Sequence, residues 1–173
     1  MEFSALGTLI PAAAWCVALC WMDWRERRLP NWLTIGGAVV ALAWRMGYGG
    51  MPSFLNGFAA AAGAGALLLL PFLLRGAGGG DVKMLFAAGA IAGWDRLLNL
   101  LMLTSVAGLI MALTMLVVGR VSGVRLRHYV RCAWDWRYDR QAGVAALPSR
   151  EDEKARVIFS IPIAVGLLGS LLV

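Results

Sequence analysis

Residues Phe54–Leu74 read FLNGFAAAAGAGALLLLPFLL and carry no charge. They run into Arg75-Gly76-Ala77-Gly78-Gly79-Gly80-Asp81-Val82-Lys83. A helix needs about 20 apolar residues to cross the ~30 Å hydrocarbon core of a bilayer. The first stretch meets that length. The second cannot be regular helix at low cost, because four of its residues are glycine. Within the apolar stretch Gly57, Ala61 and Gly65 recur every four residues. Small side chains at that spacing let a neighbouring helix backbone approach closely.

The rest of the chain extends this pattern. Of its 173 residues 60% are hydrophobic and 15% charged, with mean hydropathy +0.72. A soluble domain carries about 25% charged residues, so the surplus apolar surface faces lipid. Phe3 to Met22 forms a first span, with Pro11 as a possible kink. Its acidic Glu2, and the absence of a basic segment before it, set it apart from a cleavable signal peptide. A charged turn, Asp23 to Asn31, follows, with Asn31 placed to cap the next helix. The second span is 32–46, and a Gly-rich turn over 47–53 separates it from the third, 54–74. The apolar run from Met84 to Gly119 would be ~54 Å long as one helix. It therefore divides at Trp94-Asp95-Arg96 into spans 82–93 and 97–119, and 157–173 is the last. The expected fold is all-α: a polytopic membrane domain over residues 1–173, with six transmembrane helices and a cytosolic loop over 120–156. In that loop Leu126, Val130, Trp134 and Tyr138 recur every four residues, an amphipathic segment suited to the headgroup layer or to a partner.

Six spans leave fourteen basic residues on one side and only Arg45 and Arg96 on the other. Cytosolic loops hold the Lys/Arg excess, so the fourteen-residue side is cytosolic and both termini lie outside. The formal charge of +6 thus reflects topology. No nucleic-acid-binding motif accompanies it, and nucleic acid is excluded as a partner. The three cysteines, Cys16, Cys20 and Cys132, form no CxxC pair. Cys16 and Cys20 share one helix face as small packing residues. No metal site and no cofactor is expected.

Two acids fall on the cytosolic side: Asp23 at the end of the first span and Asp81 at the start of the fourth. An Asp at a span end is ordinarily a solvated loop residue, and one in a helix's first turn is ordinarily a favourable dipole contact. A pair at one depth has a further use. Two neighbouring carboxylates cannot both ionise cheaply and share a proton. One then activates water as general base and the other polarises a scissile carbonyl. The glycines before Asp81 let backbone approach a substrate strand closely.

Gly78-Gly79-Gly80-Asp81-Val82-Lys83 reads GxGDxK, and Asp23-x-Arg25 leads to Leu29-Pro30-Asn31. Together these resemble the GxGD aspartic proteases of the type IV leader peptidase (prepilin peptidase) family. Ile161-Pro162-Ile163-Ala164-Val165-Gly166 is similar to that family's C-terminal I-P-[YF]-x-x-A stretch, with Ile163 in place of the aromatic. The size resembles the small peptidases of tight-adherence (Flp) pilus systems, without the CxxC-bearing, N-methylating half of the larger enzymes. The resemblance implies a bacterial inner-membrane endopeptidase that removes the short basic leader of prepilins or pseudopilins at the cytosolic face. It implies catalysis by Asp23 and Asp81, a site shaped by Gly78, Gly80, Lys83, Pro30 and Asn31, and contact with membrane lipid and possible pilus assembly machinery. Lys83 either meets substrate or lipid phosphate or anchors the topology. A small ion- or proton-coupled transporter and a non-catalytic scaffold of a secretion or pilus machine are the competing readings. The acids lie at span ends and no inverted repeat is visible, which counts against transport.

Overall fold

The structure, a computed structural model, describes residues 5–26, 29–73, 78–117 and 159–172. The amphipathic 126–138 segment, the rest of the 120–156 loop and Cys132 lie outside the described residues. The described elements are all helical: α1 (Ala5–Glu26), α2 (Asn31–Leu73), α3 (Gly79–Ala92), α4 (Trp94–Val117) and α5 (Ser160–Leu172).

The expected second and third spans are the two arms of α2, which meet at Gly50 (φ 63°, ψ −161°). The positive φ is one that L side chains rarely adopt. The chain reverses there. Arg45 and Gly57 are twelve residues apart, which is ~18 Å along a straight helix. Yet the Arg45 side chain lies against Gly57, and both reach the Ala90 carbonyl. The second arm runs antiparallel to α3. Gly57 faces Ala90, Ala60 and Ala61 face Gly89, Gly65 faces Phe86 and Phe72 faces Gly79. The expected small-residue stripe is therefore the contact surface. At its tightest point a Cβ on Gly89 would sit 2.6 Å from the Ala60 carbonyl oxygen.

Three boundaries differ from expectation. α1 continues through Asp23 to Glu26 instead of ending at Met22. α3 begins inside the glycine run, at Gly79, because Asp81 stabilises its first turn. The α3–α4 break falls at Gly93 (φ 81°), so Trp94-Asp95-Arg96 opens α4 rather than interrupting it. Arg45 and Asn56, one from each arm of α2, fasten this break. Arg45 donates through Nε to the Ala90 carbonyl (2.8 Å) and through Nη2 to the Ile91 carbonyl (2.9 Å). The last carbonyls of a helix lack partners within it, and a cation there also opposes the helix dipole. Asn56 Oδ1 accepts the Trp94 N–H (2.9 Å), serving the first turn of α4 in the same way.

α5 packs antiparallel on α4, with Gly166 against Thr104, Gly169 against Leu103 and Gly108 against Phe159 and Pro162. α1 joins through α5, and Cys16, Leu19, Met84, Leu85, Ile163 and Leu167 share one core. Outside that core the surface is apolar. α4 alone exposes Leu98, Met102, Val106, Leu109, Ile110 and Leu113. Among the described residues, Asn31–Leu69 and Trp94–Met115 belong to helices long and apolar enough to cross a membrane. Both keep most of their apolar side chains outside the core, as lipid contact requires.

Two substitutions test this packing through thermal unfolding in detergent. Gly89→Ala forces α3 off Ala60 and costs about 1–3 kcal/mol. Arg45→Ala leaves the Ala90 and Ile91 carbonyls without their charged donor and costs about 3 kcal/mol.

Candidate active site

Asp23 is placed by the periodicity of α1. Ala12, Cys16, Leu19 and Asp23 are spaced 4, 3 and 4 apart and all are buried. They form one inward face, of which Asp23 is the last member. Trp24, Arg25 and Glu26 point outward. Asp23 is only 9% exposed, and its Oδ2 has no hydrogen-bond partner. The solvated-loop reading of this residue is thereby overturned. A carboxylate oxygen buried without a donor is costly, and such a group calls for an explanation.

Asp81 is the third residue of α3. Gly78, in an extended conformation (φ −80°, ψ 146°), precedes the helix. The Gly78 N–H donates to Asp81 Oδ2 (3.1 Å), and the Asp81 N–H donates to the Gly78 carbonyl (3.1 Å). This reciprocal pair is half of a capping box, and it orients the carboxylate side chain. The favourable first-turn contact expected of Asp81 is therefore present, and it leaves the residue half-buried.

The turn between α1 and α2 is tied to the same end of α3. The Leu29 side chain packs so closely on Gly80 that a Cβ there would lie 3.1 Å from Leu29 Cβ. Gly80 is helical, so its glycine serves close approach and not an unusual φ. Lys83 Nζ donates to Asn31 Oδ1 (2.8 Å). This bond was not foreseen: Asn31 was expected to cap α2, and Lys83 to meet phosphate or anchor topology. The cap position falls instead to Pro30, whose carbonyl accepts the N–H groups of Leu33 and Thr34 (both 3.1 Å). Asn31 thus meets Lys83, Gly80 meets Leu29, and Gly78 meets Asp81, while Pro30 serves the first turn of α2. Ser160, at the start of α5, faces Cys20 one turn before Asp23 on α1. Sequence reasoning missed Ser160. Its one signal was its position immediately before the Ile161-Pro162 pair.

No group of three or more His, Cys, Asp or Glu side chains able to hold a metal ion occurs among the described residues. Cys16 and Cys20 are free thiols.

Residues 10–113 match the type IV leader peptidase family. The chain belongs to that family. It is accordingly a prepilin peptidase, an enzyme of the aspartic protease class. No curated protein and no solved structure matches the chain. The matched stretch contains Asp23, Asp81, the Leu29–Asn31 turn and Lys83, and it stops before α5.

The peptidase's turn-to-helix tie is testable by a double-mutant cycle. Asn31→Ala and Lys83→Ala each lower unfolding stability modestly, and the pair shows a coupling of about 0.5–1.5 kcal/mol. Strict additivity would mean the bond contributes nothing.

Proposed function

We propose that this peptidase cleaves the leader of prepilins or pseudopilins at the cytosolic face of the inner membrane, with Asp23 and Asp81 as its catalytic pair. The observation that carries the proposal is the burial of Asp23 with Oδ2 unpartnered at the end of α1. Asp81 lies at the matching end of α3, the end to which the Leu29–Asn31 turn is fastened. Arg45 and Arg96 lie with the α3–α4 junction, at the opposite end of α3. That separation agrees with the lopsided distribution of basic residues, and it supports six crossings in which the arms of α2 count as two. The Asp23 end faces the cytosol.

A prepilin suits this position. Its apolar helix lies in the bilayer against the exposed faces of the peptidase, and its basic leader stays in the cytosol. In the reaction the ionised member of the pair takes a proton from water, whose oxygen attacks the scissile carbonyl carbon. The protonated member donates to the carbonyl oxygen. Collapse of the tetrahedral intermediate then breaks the C–N bond as a proton passes to the amide nitrogen. No paired CxxC motif occurs in the sequence, and the proposal is of peptidase activity without N-methyl transfer, of the tight-adherence (Flp) type.

Co-expression with a Flp-type prepilin, followed by gel shift of the leader, tests the assignment. Asp23→Asn and Asp81→Asn each reduce processing to background while the protein still inserts in the membrane. Processing that survives either change removes that residue from the pair.

A further inference from the structure

The first arm of α2 is short for a membrane crossing. It exposes Trp32, Ile35, Val39, Val40, Trp44 and Tyr48. Trp32 and Trp44 are twelve residues apart, ~18 Å along the helix. Tryptophan and tyrosine gather at the headgroup level on either side of a bilayer. Trp32 marks one level, and Trp44 with Tyr48, ring centroids 4.3 Å apart, marks the other. The hydrocarbon between such levels is ordinarily ~30 Å thick.

α4 starts from the same far level. The Trp94 N–H bonds Asn56, the Arg45 guanidinium lies against Gly93, and Trp94 and Asp95 are exposed beside them. From Leu97 to Val117 α4 carries no charge over ~30 Å, and it exposes apolar side chains as far as Val117. α4 therefore matches an ordinary bilayer, and the first arm of α2 falls short of one by ~10 Å.

Lys83 shows the same shortfall from α3. It is exposed, and its backbone lies ten residues from Gly93, ~15 Å from the far level. In a flat bilayer that is mid-membrane, where an ammonium is costly. The side chain runs instead to Asn31, exposed beside Trp32 at the near end of the first arm. Long cationic side chains lie along apolar surface in this way to bring the charged head to water or headgroups. An ammonium has three donors, and Asn31 takes one.

We propose that the first arm of α2 is a bilayer-thinning face. Phospholipids of the cytosolic leaflet pack on Ile35, Val39 and Val40 with compressed chains, and their headgroups descend to Trp32, Asn31 and Lys83. A crossing shorter than the hydrocarbon thins the bilayer around it. The depression brings headgroups and water to the level of Asp81, two residues from Lys83, while α4 keeps the ordinary thickness on its own side. A substrate helix of ordinary length then meets this face with its last turn already outside the hydrocarbon. The proposal rests on the six-crossing reading and not on the catalytic pair.

Lipid sorting by the native chain tests it. The full-length peptidase in vesicles of equal parts dimyristoleoyl- and dieicosenoyl-phosphatidylcholine is excised with its surrounding lipid by a styrene–maleic acid copolymer. The chains in the discs are then counted by mass spectrometry. Short chains are enriched about twofold over the vesicle average. Asn31→Leu with Lys83→Leu, which lengthens the apolar face, removes the enrichment. An unsorted ratio in the native chain, or full enrichment in the double variant, overturns the proposal. Nitroxides at Ile35→Cys and Val106→Cys, in a chain whose native cysteines are replaced by alanine, locate the depression even where the double variant does not insert. Ile35 is ~15 Å from Arg45 and Val106 ~18 Å from Trp94, so a flat bilayer buries Ile35 at least as deeply. In dioleoylphosphatidylcholine the Ile35 label lies about 5 Å or more closer to the headgroups, read from collisions with a polar nickel chelate against those with oxygen. Equal depths overturn the proposal, and so does an Ile35 label that meets neither reagent because protein covers it. Free collision of the chelate with both labels removes the six crossings themselves, a failure distinct from equal depths in hydrocarbon.

Discussion

The close contact of α3 with the returning arm of α2 is the constraint on which the remaining geometry depends. Gly89 lies directly against the Ala60 carbonyl, with Ala61 and Ala64 completing the surface. In a bilayer there is no hydrophobic gain from bringing two apolar helices together, because lipid is as apolar as they are. Dispersion between closely approaching backbones, and hydrogen bonds made where water is absent, must supply the attraction. α2 provides both. The small-residue stripe supplies the approach, and Arg45 and Asn56 supply the bonds at the far end of α3. With that end fixed, the depth of Asp81 follows from the length of α3 alone.

The sequence made part of this readable. Gly57, Ala61 and Gly65 announced a helix contact by spacing. The charge asymmetry separated the ends at which Asp81 and Arg45 are found. The inward aim of Asp23 was also legible, since Ala12, Cys16, Leu19 and Asp23 follow one helical face. It was obscured by ending α1 at the first charge. Helices do not stop at a charge when the next turn is still satisfied by backbone bonds, and α1 runs on to Glu26. The Arg45 clamp was not legible. It exists only because the chain reverses at Gly50 and brings both arms of α2 to α3. No local pattern reports which carbonyls, forty-five residues away in sequence, a guanidinium will meet. The Lys83–Asn31 bond is hidden for the same reason.

The glycine run shows how a correct motif can carry the wrong physical reason. An irregular backbone open to a substrate strand is the expectation for Gly78–Gly80. Gly79 and Gly80 are helical, and neither has a positive φ. Gly80 is needed because Leu29 occupies the space a side chain would fill. The run therefore sets the distance between a turn and a helix. The entropy lost in ordering it is offset by the Asp81 capping pair and by the Leu29 and Lys83 contacts.

The packing divides the peptidase unevenly between its two acids. α2 packs chiefly on α3, which carries Asp81, whereas α1, which carries Asp23, packs chiefly on α5, and α5 on α4. Each acid is thus held firmly by a different set of helices. The sets are joined by the common core around Leu19, Met84 and Ile163, by the Leu29–Gly80 contact and by the Lys83–Asn31 bond. A buried, incompletely bonded carboxylate is stable only if its surroundings are rigid enough not to collapse onto it or let water in. The α1–α5 seam meets that requirement on the Asp23 side, since Cys16, Leu19, Ile163 and Leu167 close it from behind. The stability lost at Asp23 is local, and the core behind it is what permits a carboxylate to remain buried near the end of α1.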